Sequence, residues 1–289
     1  MAILGDSQLW IYVLAGIFVL SLLVPVVTVV RSRKLASGPS AESQDGLPVG
    51  EIIDNPRLLL PHLLELRQRL TKSLIALVIF VAISFVFSQP LLTVLTEPIG
   101  GLQELEAIEV TEPLSVFMRL SLITGVVLAL PFIFAQLWLF IAPGLQENEF
   151  RYIYIILPFA LLLFVIGASF AYFVMLPVAI PFLVDFMGIP TVPRPANYIK
   201  FIVSMVFWVG ISFEAPLVVF VLARLGLVTA KGLARRWRYA LVIIAVAAAI
   251  ITPTIDPVNM LLVMTPMAVL YVLSIVLAWL AYRPRKQVS

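Results

Sequence analysis

Glu65 and Arg69 lie four residues apart in the stretch PHLLELRQRL (residues 61–70), which also carries His62 and Arg67 and runs straight into a long apolar segment. On a helix this spacing makes an ordinary surface ion pair, worth a few tenths of a kcal/mol. The same carboxylate has a second possible use. Glu149, distant in sequence, falls in GLQENEFRY together with Glu147, in a loop where basic residues would be expected. Two carboxylates on one face bind guanidinium groups through paired, charge-assisted hydrogen bonds, so Glu65 and Glu149 together could read two arginines. A third acid, Glu214 in VGISFEAPLVVF, is the only one deep in an apolar run. Buried there it either turns inward to local acceptors, such as the Ser212 carbonyl that Pro216 leaves without a helical donor, or faces a polar cavity or an entering partner segment.

The elements that must hold these groups are membrane helices. The chain has 289 residues, is 62% hydrophobic and only 12% charged, and has a mean hydropathy of +1.10. Those values belong to integral membrane proteins. No cysteine occurs, which excludes disulfides, thiol catalysis and thiolate metal sites, and a single histidine excludes a multi-histidine metal centre. No metal and no cofactor is expected. No phosphate-binding glycine loop is present either.

About 20 apolar residues cross a bilayer as a helix, and seven such runs are expected. The first, Trp10 to Val30, is uncharged and is followed by Arg31, Arg33 and Lys34; it reads as a retained anchor rather than a cleaved signal. Residues 35–54, rich in Gly, Pro, Ser and acids, read as a linker, so residues 1–34 form an appendage to a main domain spanning 55–282, with a basic tail at 283–289. The other spans are expected near Ser73–Leu92, Leu114–Ile141, Tyr152–Val184, Phe201–Leu222, Tyr239–Ile251 and Met260–Trp279. Two lengths are unusual. Tyr152–Val184 is about 50 Å if fully helical and must tilt, protrude or break, a break falling near Pro177 and Pro181, whereas Tyr239–Ile251 is about 20 Å and falls short of the hydrocarbon.

Charge placement sets the orientation. With alternate loops assigned to the cytoplasm, all lysines and arginines lie inside except Arg119, Arg194 and Lys200, which predicts an external N-terminus and a cytoplasmic C-terminus. The loop from Glu97 to Glu112 then faces outward with five glutamates and no base, and reads as a solvated cap able to form helix. Asn55 and Pro56 suit a helix start. The helix they open carries Leu59, Leu63, Leu66 and Leu70 on one stripe and is expected to lie at the cytoplasmic interface before feeding the next span. Trp138 suits interfacial anchoring at the inner end of its span.

Taken together, these residues resemble one family, the TatC component of the twin-arginine protein translocase. His62, Leu63, Glu65, Leu66, Arg67 and Arg69 match its H-L-x-E-L-R-x-R signature. The similarity continues in order through Pro98, FAQLWLFIAPGL, Glu149, FAYFVMLPVA, SFEAP with Glu214, ARLGLVT, RRWRYA and the Thr252-Pro pair with Asp256, covering residues 55 to 280. The resemblance implies an all-α fold, a cupped bundle of six membrane helices, here with one extra N-terminal helix. It implies a non-enzymatic receptor for the twin-arginine signal peptides of folded cargo, working with single-helix TatA and TatB partners in an oligomeric complex of the inner membrane and driven by the proton motive force. Neither nucleic acid nor cofactor takes part. The implied signal-peptide site is Glu65 and Glu149, supported by Arg67, Arg69 and Phe140. The implied groove and partner contacts are Glu214, Gln136, Pro98, Thr252, Asp256 and Met260.

The chain departs from the family pattern in its N-terminal anchor, at Phe150 where an arginine is frequent, at Thr254 and Ile255 within a usual T-P-P-D, and at Met260 where a glutamine is common. Two other classes compete on the sequence alone. A secondary transporter of a small solute should show internal repeats and paired broken helices, and no repeat is evident. An intramembrane protease needs an acid pair or a metal motif within the spans; Asp185 and Asp256 lie outside them and His62 stands alone.

Overall fold

A computed structural model of the chain describes Val13 and residues 16–19, 56–141, 150–186, 191–252 and 256–281. Apart from Val13 and 16–19, the expected anchor lies outside these residues, as do the linker, the 283–289 tail, Glu149, Thr254 and Ile255. Every regular element among the described residues is helical: α1 (Pro56–Ser84), α2 (Ser88–Thr96), α3 (Glu112–Ile141), α4 (Phe150–Phe170), α5 (Leu176–Val184), α6 (Pro195–Ser212), α7 (Ala215–Arg224), α8 (Ala230–Arg235), α9 (Trp237–Ile251) and α10 (Pro257–Ala281). Five helical stretches among them are long and apolar enough to cross a membrane, namely Leu63–Ile99, Glu112–Leu137, Ile156–Val184, Pro195–Arg224 and Pro257–Ala281. With backbone polar groups satisfied inside each helix, such segments are stable in hydrocarbon.

The chain divides into two compact units. One comprises the residues up to Pro90 with Ser121–Phe159, and the other Leu91–Leu120 with Ala160–Ser289. In the first, α1 is continuous where an interfacial helix and a separate span were expected. No glycine or proline occurs between His62 and Ser84, so nothing in the sequence breaks the turn. Along it Leu70, Leu74 and Val78 each expose more than half their surface, the outward-facing apolar row of a lipid-facing helix. Its other side meets α3 closely. A Cβ on Gly125 would fall 2.5 Å from the Val81 Cα, and the fully buried Ser84 hydroxyl donates to the Ser121 carbonyl at 2.5 Å while Ser88 and Ser121 share a hydrogen bond between their hydroxyls. Small side chains let two backbones approach, and in lipid each buried hydroxyl then requires such a partner.

In the second unit the long span breaks one turn earlier than expected. Ala171–Met175 forms a π turn, with the Leu176 amide donating to the Ala171 carbonyl, and α5 follows. Pro177 supplies no N–H for the Phe173 carbonyl and crowds it, so the register shifts by one residue just before the proline. Pro181 is absorbed within α5. The Tyr172 and Tyr198 hydroxyls donate to the Val94 and Leu95 carbonyls at 2.6 and 3.1 Å, fastening the end of α2 to α6 and the π turn. The short span is confirmed: α9 has 15 residues, about 22 Å of helix. The most extensive packing in this unit is between α7 and α10, where Ala223 meets Ala278 and Ala281, all buried.

Candidate functional site

Glu65, Arg67 and Arg69 lie on α1, one turn or less apart. Glu65 accepts hydrogen bonds on Oε1 from Arg69 Nε at 2.9 Å and Arg69 Nη2 at 2.5 Å, and its side chain is 31% exposed. A guanidinium therefore already sits on this carboxylate. Glu149 lies outside the described residues, so its separation from Glu65 is not part of the geometry. Phe140 lies at the end of α3 and is partly exposed, and Gln136, one turn before it, is buried.

Glu214 sits in a true helix break. α6 ends at Ser212, Phe213 and Glu214 form a turn in which the Glu214 amide donates to the Ile211 carbonyl at 3.0 Å, and α7 restarts at Ala215. The cause is Pro216, whose missing N–H ends the α6 ladder. Ser212, the residue left without a donor, turns its hydroxyl back to Trp208 O at 2.8 Å. The break is held from one side: a Cβ on Gly167 would fall 2.7 Å from the Phe213 ring and 3.0 Å from the Gly210 Cα, and one on Gly210 would strike the Phe164 ring at 2.8 Å. Glu214 is only 7% exposed, and its Oε1 has no hydrogen-bond partner. A carboxyl oxygen kept from water with no donor is held at a standing cost that a polar partner would relieve.

Asp256 caps α10. Its Oδ1 accepts from the Asn259 amide at 2.7 Å and its Oδ2 from Asn259 Nδ2 at 3.0 Å, while the Met260 amide reaches the Asp256 carbonyl at 3.3 Å. The cap explains why Asp stands there. Asn259 is fully buried, a feature that the spacing Asp-x-x-Asn signals but that pattern-reading of the spans overlooks. Thr252 is buried with its hydroxyl on Ala248 O at 2.7 Å, and Pro98 lies in the short helical turn Glu97–Ile99.

The sequence reading also missed a charge cluster on the expected outer side. Arg194, just before α6, donates through Nε to Glu112 Oε1 at 2.7 Å and through Nη2 to Glu109 Oε1 at 2.8 Å, with a second Nη2 contact to Glu112. The hydrogen bond to Glu112, then that to Glu109, holds the Arg194 pKa above its ordinary value. Glu112 is 3% exposed, so the acidic loop is not uniformly solvated as expected; its last member turns inward to meet Arg194. Among the described residues no group of three or more metal-ligating side chains forms.

Residues 61–266 match the family described as Sec-independent protein translocase protein (TatC). Among similar proteins, the chain is 38% identical over 235 residues to the TatC of Aquifex aeolicus, covering 79% of this chain and 97% of that one. It is 35% identical over 243 residues to TatCy of Bacillus subtilis, covering 81% and 94%. The chain belongs to the TatC family. Its fold agrees: a crystal structure of the twin-arginine translocase receptor TatC superposes with a TM-score of 0.68 at 37% identity, covering 77% of this chain and 100% of that one, and a second, in the detergent DDM, with 0.69 at 38%. The protein is thus a multi-pass membrane component of a protein translocase, and the resemblance read from the H-L-x-E-L-R-x-R signature was correct. The TatC match takes in Glu65, Glu149, Glu214, Asp256 and Met260 and leaves residues 1–60 outside it.

Proposed function

We propose that this chain is the receptor of a twin-arginine translocase in an inner membrane, binding the paired arginines of a signal peptide with Glu65 and Glu149, with Arg67, Arg69 and Phe140 lining the approach. The observation that carries the assignment is Glu65 on a membrane-spanning helix, already in hydrogen-bonded contact with a guanidinium, inside a stretch that matches TatC. Chelation of a planar guanidinium by carboxylate is strong and directional, which suits recognition of arginine over lysine. The unpartnered Glu214 carboxyl oxygen, with Gln136, Pro98, Thr252, Asp256 and Met260, supports a second role in receiving a single-helix TatA- or TatB-type partner. The complex is oligomeric, takes its energy from the proton motive force, and has its N-terminus outside and its C-terminus in the cytoplasm.

The test is signal-peptide capture by purified protein. Glu65→Ala and Glu149→Ala each lower affinity for an Arg-Arg peptide by about tenfold or more, the scale of one charge-assisted pair, while helical content is unchanged. Normal capture by either variant removes that residue from the site.

A further inference from the structure

Between α7 and α9 the chain makes a short excursion whose two ends both finish apolar membrane-type helices, so the whole segment lies at one membrane face. From Ala215 to Ile255 there is no acidic residue, yet Arg224, Lys231, Arg235, Arg236 and Arg238 fall within it. Retention of basic loops on the cytoplasmic side explains such charge in general, but a floppy loop would serve that end as well. This one is fixed. Gly226 takes a left-handed conformation with φ of 75°, the Leu227 amide closes onto the Leu222 carbonyl at 2.9 Å, and the Thr229 hydroxyl caps α8 by accepting from the Gly232 amide at 3.1 Å. Val228, Ala230 and Leu233 pack against Ala223, Ala278 and Ala281, and the Tyr271 hydroxyl of α10 donates to the Leu233 carbonyl at 2.7 Å.

With its apolar side seated, α8 presents Lys231 and Arg235, one turn apart, and Arg236 and Arg238 beyond them, all exposed. No described carboxylate forms an ion pair with these four residues. Trp237 and Tyr239 stand exposed beside them, with the Arg238 guanidinium 5.7 Å from the centroid of the Trp237 ring. Trp and Tyr are side chains of the headgroup layer. Trp237, Arg238 and Tyr239 open α9, which offers about 22 Å of helix to about 30 Å of hydrocarbon and so draws the bilayer surface toward the bundle at this place.

We infer that Lys231, Arg235, Arg236 and Arg238, flanked by Trp237 and Tyr239, form a binding shelf for the phosphate headgroup of an anionic phospholipid. The fixed backbone holds the cations apart at lipid-headgroup level, the aromatics contact the glycerol and upper acyl region, and the thinned bilayer carries the phosphates to them. The inference needs only the membrane span assignments and is independent of the signal-peptide site.

The experiment uses the full-length chain with Trp237 as sole tryptophan, Trp10, Trp138, Trp208 and Trp279 being replaced by Phe. It is reconstituted in phosphatidylcholine vesicles containing equal fractions of either brominated phosphatidylglycerol or brominated phosphatidylcholine. A bound anionic lipid quenches Trp237 fluorescence, with an apparent preference of at least about fivefold, the factor given by about 1 kcal/mol for a single cation near a charged surface. The combined Lys231→Gln, Arg235→Gln, Arg236→Gln and Arg238→Gln variant loses the preference, and the three Arg→Lys changes keep it, which separates lost charge from lost fold. Raising salt on the unmodified shelf lowers the preference as well. Equal quenching by the two lipids overturns the inference, as does a preference that survives the Gln variant. Compared with sodium chloride at the same ionic strength, greater relief of quenching by inorganic phosphate would make this a small-anion site, and greater relief by an acidic peptide a protein-docking site; either result overturns the lipid assignment.

Discussion

Glu214 is held at a helix break, 7% exposed, with one carboxyl oxygen lacking a partner, whereas Glu65 is part-exposed and already paired with Arg69. Under the proposed function the two acids serve different steps: Glu65 has a preformed guanidinium contact near the start of α1, and Glu214 an unsatisfied group within a span. Glu214→Gln keeps the shape and can still bond through its amide but loses the charged form. Capture of an Arg-Arg signal peptide should be unchanged in this variant while export of folded cargo in cells falls severalfold; equal loss of capture would merge the two roles. Sequence alone singled out Glu214 because an acid in an apolar run is conspicuous. It did not show Glu112 with Arg194, because those residues lie more than eighty positions apart and only the fold brings them together.

The elements explain how such side chains are kept in place. Two close approaches at glycines contribute: Gly125 of α3 against Val81 of α1, and Gly167 of α4 against Gly210 of α6. At Gly125 the obstacle is backbone, which a rotamer change cannot clear. Gly125→Leu should therefore separate α1 from α3, strain the Ser84, Ser88 and Ser121 hydrogen bonds, and destabilise the protein by about 1–3 kcal/mol or more, read as a lower melting temperature in detergent. A variant as stable as the parent would mean that this crossing is loose. The sequence foresaw the short α9 and a defect in the long span, but placed the defect at the prolines. The π turn precedes Pro177 because a proline disturbs the carbonyl four residues before it, so the distortion appears upstream of the residue that causes it. It also led to the expectation of an interfacial helix feeding the first core span, where α1 instead runs on without a break because neither glycine nor proline occurs between His62 and Ser84.

At the scale of the whole molecule, fold class and family were readable because membrane spans are long, compositionally simple signals and because the H-L-x-E-L-R-x-R, SFEAP and RRWRYA stretches keep their order. Which buried polar atoms lack partners was not readable, since it depends on how the helices pack. Residues 1–60 fall outside the stretch that matches TatC. Deleting residues 1–50 should leave signal-peptide affinity within about twofold, because neither Glu65 nor Glu149 is touched; a larger loss would make the anchor part of the receptor. The central claim is that paired carboxylates read paired arginines, and lysine keeps the charge of arginine while losing its planar fork. The most direct measurement is photo-crosslinking of the purified full-length protein by a signal peptide with a probe beside its Arg-Arg pair, against the same peptide with Lys-Lys, with labelled sites mapped along the chain. Labelling concentrated around Glu65 and Glu149 and reduced about tenfold or more for Lys-Lys is the predicted result; equal labelling by the two peptides would contradict it and leave only a generic acidic surface.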